Sequence, residues 1–166
     1  MDTVLQPADR ALYEADEHAW IARQIDALRN GRLQQLDRDG LVEYLTEMTV
    51  RDRRELKSRL TVLFQHLLKA RMQPRRLTRS WILTILTQQA EIRDILAGTP
   101  SIAAHVPAML SGAYSDAVRR AAAETGIALV DFPTESPWTI ETALAFVPPD
   151  LPPPRNPSRA RRQERA

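Results

Sequence analysis

Residues 56–74 read LKSRLTVLFQHLLKARMQP, and this stretch settles the fold class. Leu56, Leu60, Leu63, Phe64, Leu67 and Leu68 recur every three or four positions. That period lays side chains along one stripe of an α-helix, whereas a half-buried strand would alternate every two. Pro74 has no backbone N–H to offer a continuing helix and ends the run.

The neighbouring segments carry the same period. Upstream, Asp37 is placed to cap a shorter helix whose Leu41, Val42, Leu45 and Met48 form one apolar face. Before it, Asp9 to Asn30 holds Leu12, Trp20, Ile21, Ile25 and Leu28 at helical spacing, with a left-handed stop expected at Asn30-Gly31. Downstream, a helix is expected from Thr78 or Ser80, with Ile82, Ile85, Leu86, Ile92 and Leu96 inward and an end at Gly98-Thr99-Pro100. Ser101 is expected to cap a further stretch, Ile102 to Thr125, stopped by Gly126. Pro107 should either kink that stretch or start a new helix after a short one. Residues 127–138 contain Pro133 and Pro137 and read as an extended connection, after which Thr139 caps a last short helix through Ala145. No series of alternating strands appears. The expectation is an all-α, compact bundle of about five or six helices with short loops. It comprises a flexible start over 1–8, a single helical domain over 9–147 and a disordered, basic, Pro-rich tail over 148–166, where prolines and mutually repelling arginines leave little to bury.

Charge is sorted along the chain. The 166 residues contain 23 bases and 21 acids, and all the bases but Lys57 and Lys69 are arginine. Residues 1–50 are net −5, 51–79 net +8, 80–147 net −4 and 148–166 net +3. The chain has no cysteine, which removes disulfide scaffolds, thiol nucleophiles and thiolate metal sites. There is no run of about 18 apolar residues, so no membrane contact is expected. Met1-Asp2-Thr3 lacks the basic start of a signal peptide, which makes a cytoplasmic setting the expectation. No two glycines lie close enough to build a phosphate-cradling loop, and no His-Glu-x-x-His pair, calcium loop or Gly-x-Ser-x-Gly elbow occurs. No catalytic residue, metal site or cofactor is expected, and the enzyme question leans toward no.

Several spaced motifs carry a resemblance. They begin with Tyr13-Glu14-Ala15-Asp16, Trp20, and Leu36-Asp37 with Leu41 and Glu43. They continue with Asp52-Arg53-Arg54-Glu55-Leu56, His66-Leu67-Leu68-Lys69, Gln73-Pro74 and Arg79-Ser80-Trp81. Pro100-Ser101, Tyr114, Ala117, Glu124-Thr125-Gly126 and Pro137-Trp138-Thr139 complete the set. In this order, over about residues 10–148, they resemble the domain-of-unknown-function 29 family. The resemblance implies a compact helical domain, found mainly in bacteria, and brings no activity with it. Two positions depart from the family pattern. Glu43 is followed by Tyr44 and the next acidic position is Thr46, with Glu47 shifted one along; and Ala70 stands where an aromatic is expected after Lys69. A metal site built on that acidic cluster would be held poorly here.

The turn between residues 69 and 81 is the candidate site. Lys69, Arg71, Arg75, Arg76 and Arg79 fall there with no acid among them, followed by Ser80 at a helix start where backbone donors favour an anion. Arginine adds two-point hydrogen bonding suited to carboxylate or phosphate. The competing expectation, slightly favoured, is that these bases pair with the acidic flanks of the same chain. Glu43, His66, Gln73 and Trp81 are candidate polar groups of a pocket. His66 is placed on the shoulder of the leucine stripe, half-buried and bonded to a neighbouring helix, and Lys69 on the opposite side, facing solvent unless something covers it. Trp20, Trp81 and Trp138 read chiefly as packing. The leading expectation is a non-enzymatic binding or regulatory module contacting an acidic protein partner or itself. An anionic small-ligand or phosphate crevice, even an enzyme, is the first alternative, and nucleic-acid binding the second, disfavoured by the near-neutral body.

Overall fold

The computed structural model describes residues 7–148, and every regular element among them is helical. The elements are α1 (Pro7–Ala15), α2 (Glu17–Arg29), α3 (Arg38–Met72), α4 (Arg79–Gly98), α5 (Pro100–Ala103), α6 (Val106–Thr125) and α7 (Ile140–Leu144). Single 3-10 turns occur at Leu33–Gln35, Pro74–Arg76 and Leu129–Asp131. The all-α class is as expected. The start over 1–8 and the tail over 148–166 lie, apart from residues 7, 8 and 148, outside the described residues. Contacts gather into two units, Met1–Arg54 and Glu55–Ala166.

In the first unit, the helix expected across Asp9 to Asn30 is broken in two. The Asp16 side chain turns back to accept a hydrogen bond from the Ala19 N–H (3.0 Å) and caps α2. Gly31 ends that helix with φ +67°, a left-handed conformation that a side chain would strain. Trp20 is fully buried between Tyr13 and Tyr44, with ring centroids 4.9 and 5.7 Å away. Its indole N–H donates to Asp37 Oδ2 (3.2 Å), while Asp37 Oδ1 accepts from the Gly40 N–H (2.9 Å) and so caps α3 as the sequence led one to expect. The Asp37 N–H in turn donates to Gln24 Oε1 (2.9 Å). Glu17 meets Arg51 while Gln24 meets Asp37, so α2 runs antiparallel to the start of α3. The apolar face of Leu41, Val42, Leu45 and Met48 lies largely outside the core. Leu41 is half-buried and the other three are exposed, as are Ile25 and Leu28 of α2.

The two helices expected on either side of residue 50 are one, the 35-residue α3. Residues 41–73 contain no glycine or proline to break a helix, so it continues through the charged run Arg51 to Glu55.

The second unit is built on the leucine stripe. Leu56, Leu60, Leu63, Phe64, Leu67 and Leu68 are buried against Ile85 and Ile92 of α4 and Ala113, Tyr114, Ala117 and Ala121 of α6. Each buried Leu, Ile or Phe side chain contributes about 1.5–3 kcal/mol. The small residues of α6 allow close helix approach. Leu86, expected inward, is exposed. Ser101 is not the cap: it lies inside α5, whose N-cap position is Thr99, and a new helix starts at Val106 with Pro107 in its first turn. Thr139 does cap α7, exchanging hydrogen bonds with Thr142.

Candidate functional site

The site elements all lie in the second unit, where α3 ends, the chain turns through Pro74–Arg76 and α4 begins. Lys69, expected to face solvent unless something covers it, is covered: only 6% of its side chain is exposed. Its ammonium stands 4.3 Å from the centre of the Trp81 ring and donates to Glu124 Oε2 at 2.5 Å. Gln65 Nε2 donates to the other oxygen of the same carboxylate (2.5 Å). The hydrogen bond from Lys69, more than any other influence, holds the Glu124 carboxyl below its ordinary pKa of 4.5. Trp81, half-buried, is therefore the floor under the buried ammonium of this ion pair.

Other bases of the second unit also find internal acids. Lys57 pairs with Asp116 (3.0 Å), and Arg59 with Glu55 (2.7 Å) and Glu91 (3.3 Å). The arginine turn differs. Arg75 and Arg76 are exposed on the 3-10 turn, and neither forms an ion pair among the described residues. Arg71 is exposed with its guanidinium 5.9 Å from the Trp138 ring centre. Arg79 is exposed in the first turn of α4 and has an interaction of its own. Ser80, also exposed there, shares a hydrogen bond with the Thr78 hydroxyl (2.9 Å). Thr78 caps α4 by accepting from the Trp81 N–H (3.3 Å), so the helix start already has a partner for one of its donors.

Beside this turn lies an apolar groove of about 320 Å³, lined by Leu67, Ala70, Arg71, Pro74, Leu77, Trp138 and Phe146. Ala70, the departure noted in the sequence, forms part of its wall, and its small side chain leaves the space open. The far wall is supplied by the C-terminal segment, which is fastened from beneath. Gln89 Nε2 donates to the carbonyls of Ala143 (2.9 Å) and Phe146 (2.8 Å), and Arg93 donates to that of Leu144. The Tyr114 hydroxyl donates to the Pro133 carbonyl (2.8 Å), and Trp138 stacks on Phe64 with centroids 6.5 Å apart.

The remaining candidate groups do not join this groove. Half-buried Gln73 spans to the Thr125 carbonyl (3.4 Å) as a turn fastener. His66 is half-buried as expected, but Nδ1 bonds the carbonyl of Val62 on its own helix (2.9 Å), not one on a neighbour. Burial pushes its pKa below 6.5, which favours the neutral ring. Glu43 belongs to the first unit, is exposed and pairs with Arg10 (2.9 Å). Glu47 pairs with Arg51, and among the described residues no group of three His, Cys, Asp or Glu could hold a metal ion. Among them, too, no helix is long and apolar enough to cross a membrane.

The groove's lining is drawn from residues 67–77, 138 and 146, and one family model runs through all of them. Domain of unknown function DUF29 matches residues 12–147. The chain belongs to this family. No curated protein matched the chain, and no solved structure did. The DUF29 match takes in α2 through α7, so both the leucine stripe and the groove lie within the family domain. The sequence reading missed Gln89, Arg93 and Phe146 as builders of the DUF29 groove. A glutamine on the inner face of α4, at the i+4 position from Ile85, was the available signal.

Proposed function

We propose that this DUF29 domain is a non-enzymatic binding module that takes an acidic segment of a protein partner at its arginine turn, in the bacterial cytoplasm. One observation carries the reading: Arg75 and Arg76 form no ion pair among the described residues, while Lys57, Arg59 and Lys69 of the same unit all do. Arginines left to water beside an apolar groove suit a segment with carboxylates for the guanidiniums and one apolar anchor for the space between Ala70, Leu77 and Trp138. Arg71, lying over Trp138, belongs to both surfaces.

The test is a titration of the full chain with a synthetic peptide of six alternating Glu and Asp around a central Leu. Its controls are a Lys-substituted peptide, a DNA and an RNA oligonucleotide, and inorganic phosphate. The acidic peptide should bind, Arg75→Ala/Arg76→Ala should weaken it about tenfold or more, and Ala70→Phe should block the anchor without unfolding the protein. Binding to the oligonucleotide with a steep loss in salt would favour the nucleic-acid reading instead. Binding of phosphate alone with equal affinity would favour a small anion.

A further inference from the structure

We propose that the first unit pairs with a second copy of this chain through the apolar face of α2 and α3, the two α3 segments crossing antiparallel about Leu45. This surface is separate from the arginine turn, and the proposal does not depend on the function assigned there. Val42, Leu45 and Met48 are 65%, 56% and 44% exposed, although all three are apolar and lie within a single two-turn span. Ile25 and Leu28 of α2 and Leu33 of the following turn are exposed as well.

The residues of this set on α2 and α3 share one side of the unit. Taking about 100° per residue, Leu45 lies some 160° around α3 from Glu43, the residue that holds α1 through Arg10. Ile25 and Leu28 lie about 140° and 80° around α2 from buried Trp20. Because α2 and α3 are antiparallel, both offsets turn toward the same side, away from α1. The five apolar residues of α2 and α3 present on the order of 450 Å² of surface, the upper range for a monomer and over half of the ~800 Å² per partner of a standard interface.

Charge identifies the occupant. Arg38 and Asp52 stand seven residues before and seven after Leu45, two helical turns on either side and on the same stripe. Both are exposed, and neither has an ion-pair partner among the described residues. A twofold axis through Leu45 brings residue 45 − k opposite residue 45 + k. Leu45 then meets the partner's Leu45, Val42 meets the partner's Met48, and Arg38 meets the partner's Asp52 at each end. The surface is thus self-complementary in both apolar content and charge, as an isologous interface requires. Joining two α2–α3 hairpins this way gives a four-helix arrangement.

The test is sedimentation equilibrium on the full chain, with circular dichroism to verify folding. The wild type should dimerise. Leu45→Glu, at an exposed position, should keep the helical signal and raise the dissociation constant at least tenfold. Arg38→Glu alone and Asp52→Arg alone should each weaken the dimer, and the double variant should recover it. A monomeric wild type, or a dimer indifferent to Leu45→Glu, overturns the proposal. A double variant that fails to recover overturns the antiparallel pairing about Leu45.

Discussion

Removing either member of the Lys69–Glu124 pair breaks the same ion pair, yet the two losses should differ. Lys69 has 6% of its side chain exposed, whereas Glu124 has 51%. In Lys69→Met the carboxylate returns to water it already touches, and methionine fills the space over Trp81 with an unbranched apolar chain. The cost should stay within about 1 kcal/mol, because replacing a buried charge by a hydrophobe of similar size is often nearly neutral. In Glu124→Ala the ammonium stays buried with its carboxylate gone. An uncompensated buried charge costs about 3–5 kcal/mol, reduced by roughly 1 kcal/mol because the Trp81 face still attracts it. A net loss of about 2–4 kcal/mol, or some 4–16 °C in melting temperature for a chain of this size, is the expectation. The double variant should match Lys69→Met alone, since without the ammonium nothing is left unpaired. Urea denaturation followed by far-UV circular dichroism measures all three. The reasoning is refuted if Lys69→Met is as damaging as Glu124→Ala, or if the two losses simply add.

Three further outcomes follow. Because Lys69 holds Glu124 below its ordinary pKa of 4.5, the pair's stabilisation is full above that pH and is lost as pH falls through the depressed value; denaturation midpoints against pH should show this loss in the wild type and not in Lys69→Met. His66 has a lowered pKa, so the unfolded chain takes up a proton near 6.5 while the folded one resists. Stability should therefore fall as pH drops below about 7, and His66→Gln should flatten that slope; an unchanged slope would show that His66 is not the group responsible. A Cβ added at Gly40 would lie 2.3 Å from Asp37 Oδ2, the oxygen that accepts from Trp20. Gly40→Ala should thus cost about 1–3 kcal/mol by dislodging a cap and a buried hydrogen bond, despite alanine's better helix propensity, and a thermal melt at or above wild type would contradict it.

The fold was legible where one physical rule acts alone. The stripe from Leu56 to Leu68, the caps Asp37 and Thr139, and the stop at Gly31 rest on period, side-chain acceptors and a left-handed backbone. Apolar spacing alone does not mean burial: Val42, Leu45 and Met48 follow the helical period and still face outward. The stripes 41–48 and 56–68 read as two helices, yet with no glycine or proline between them α3 runs straight through the charged residues 51–55. At the site, the arginine turn was visible as a charge cluster, but which bases are neutralised depends in part on partners distant in sequence. Lys69 with Glu124 is one such pair. The groove was invisible for the same reason, since its two walls come from residues 67–77 and from 138 and 146.

The arginine turn and the groove beside it should act as one binding surface. Two-dimensional amide and indole NMR of the labelled full chain, titrated with the acidic Leu-centred peptide, tests it most directly. The expected result is shifts in the Trp138 indole together with the backbone of Ala70 to Leu77, lost in Arg75→Ala/Arg76→Ala. No shifts at these positions, or the same shifts with the lysine-substituted peptide, would contradict it.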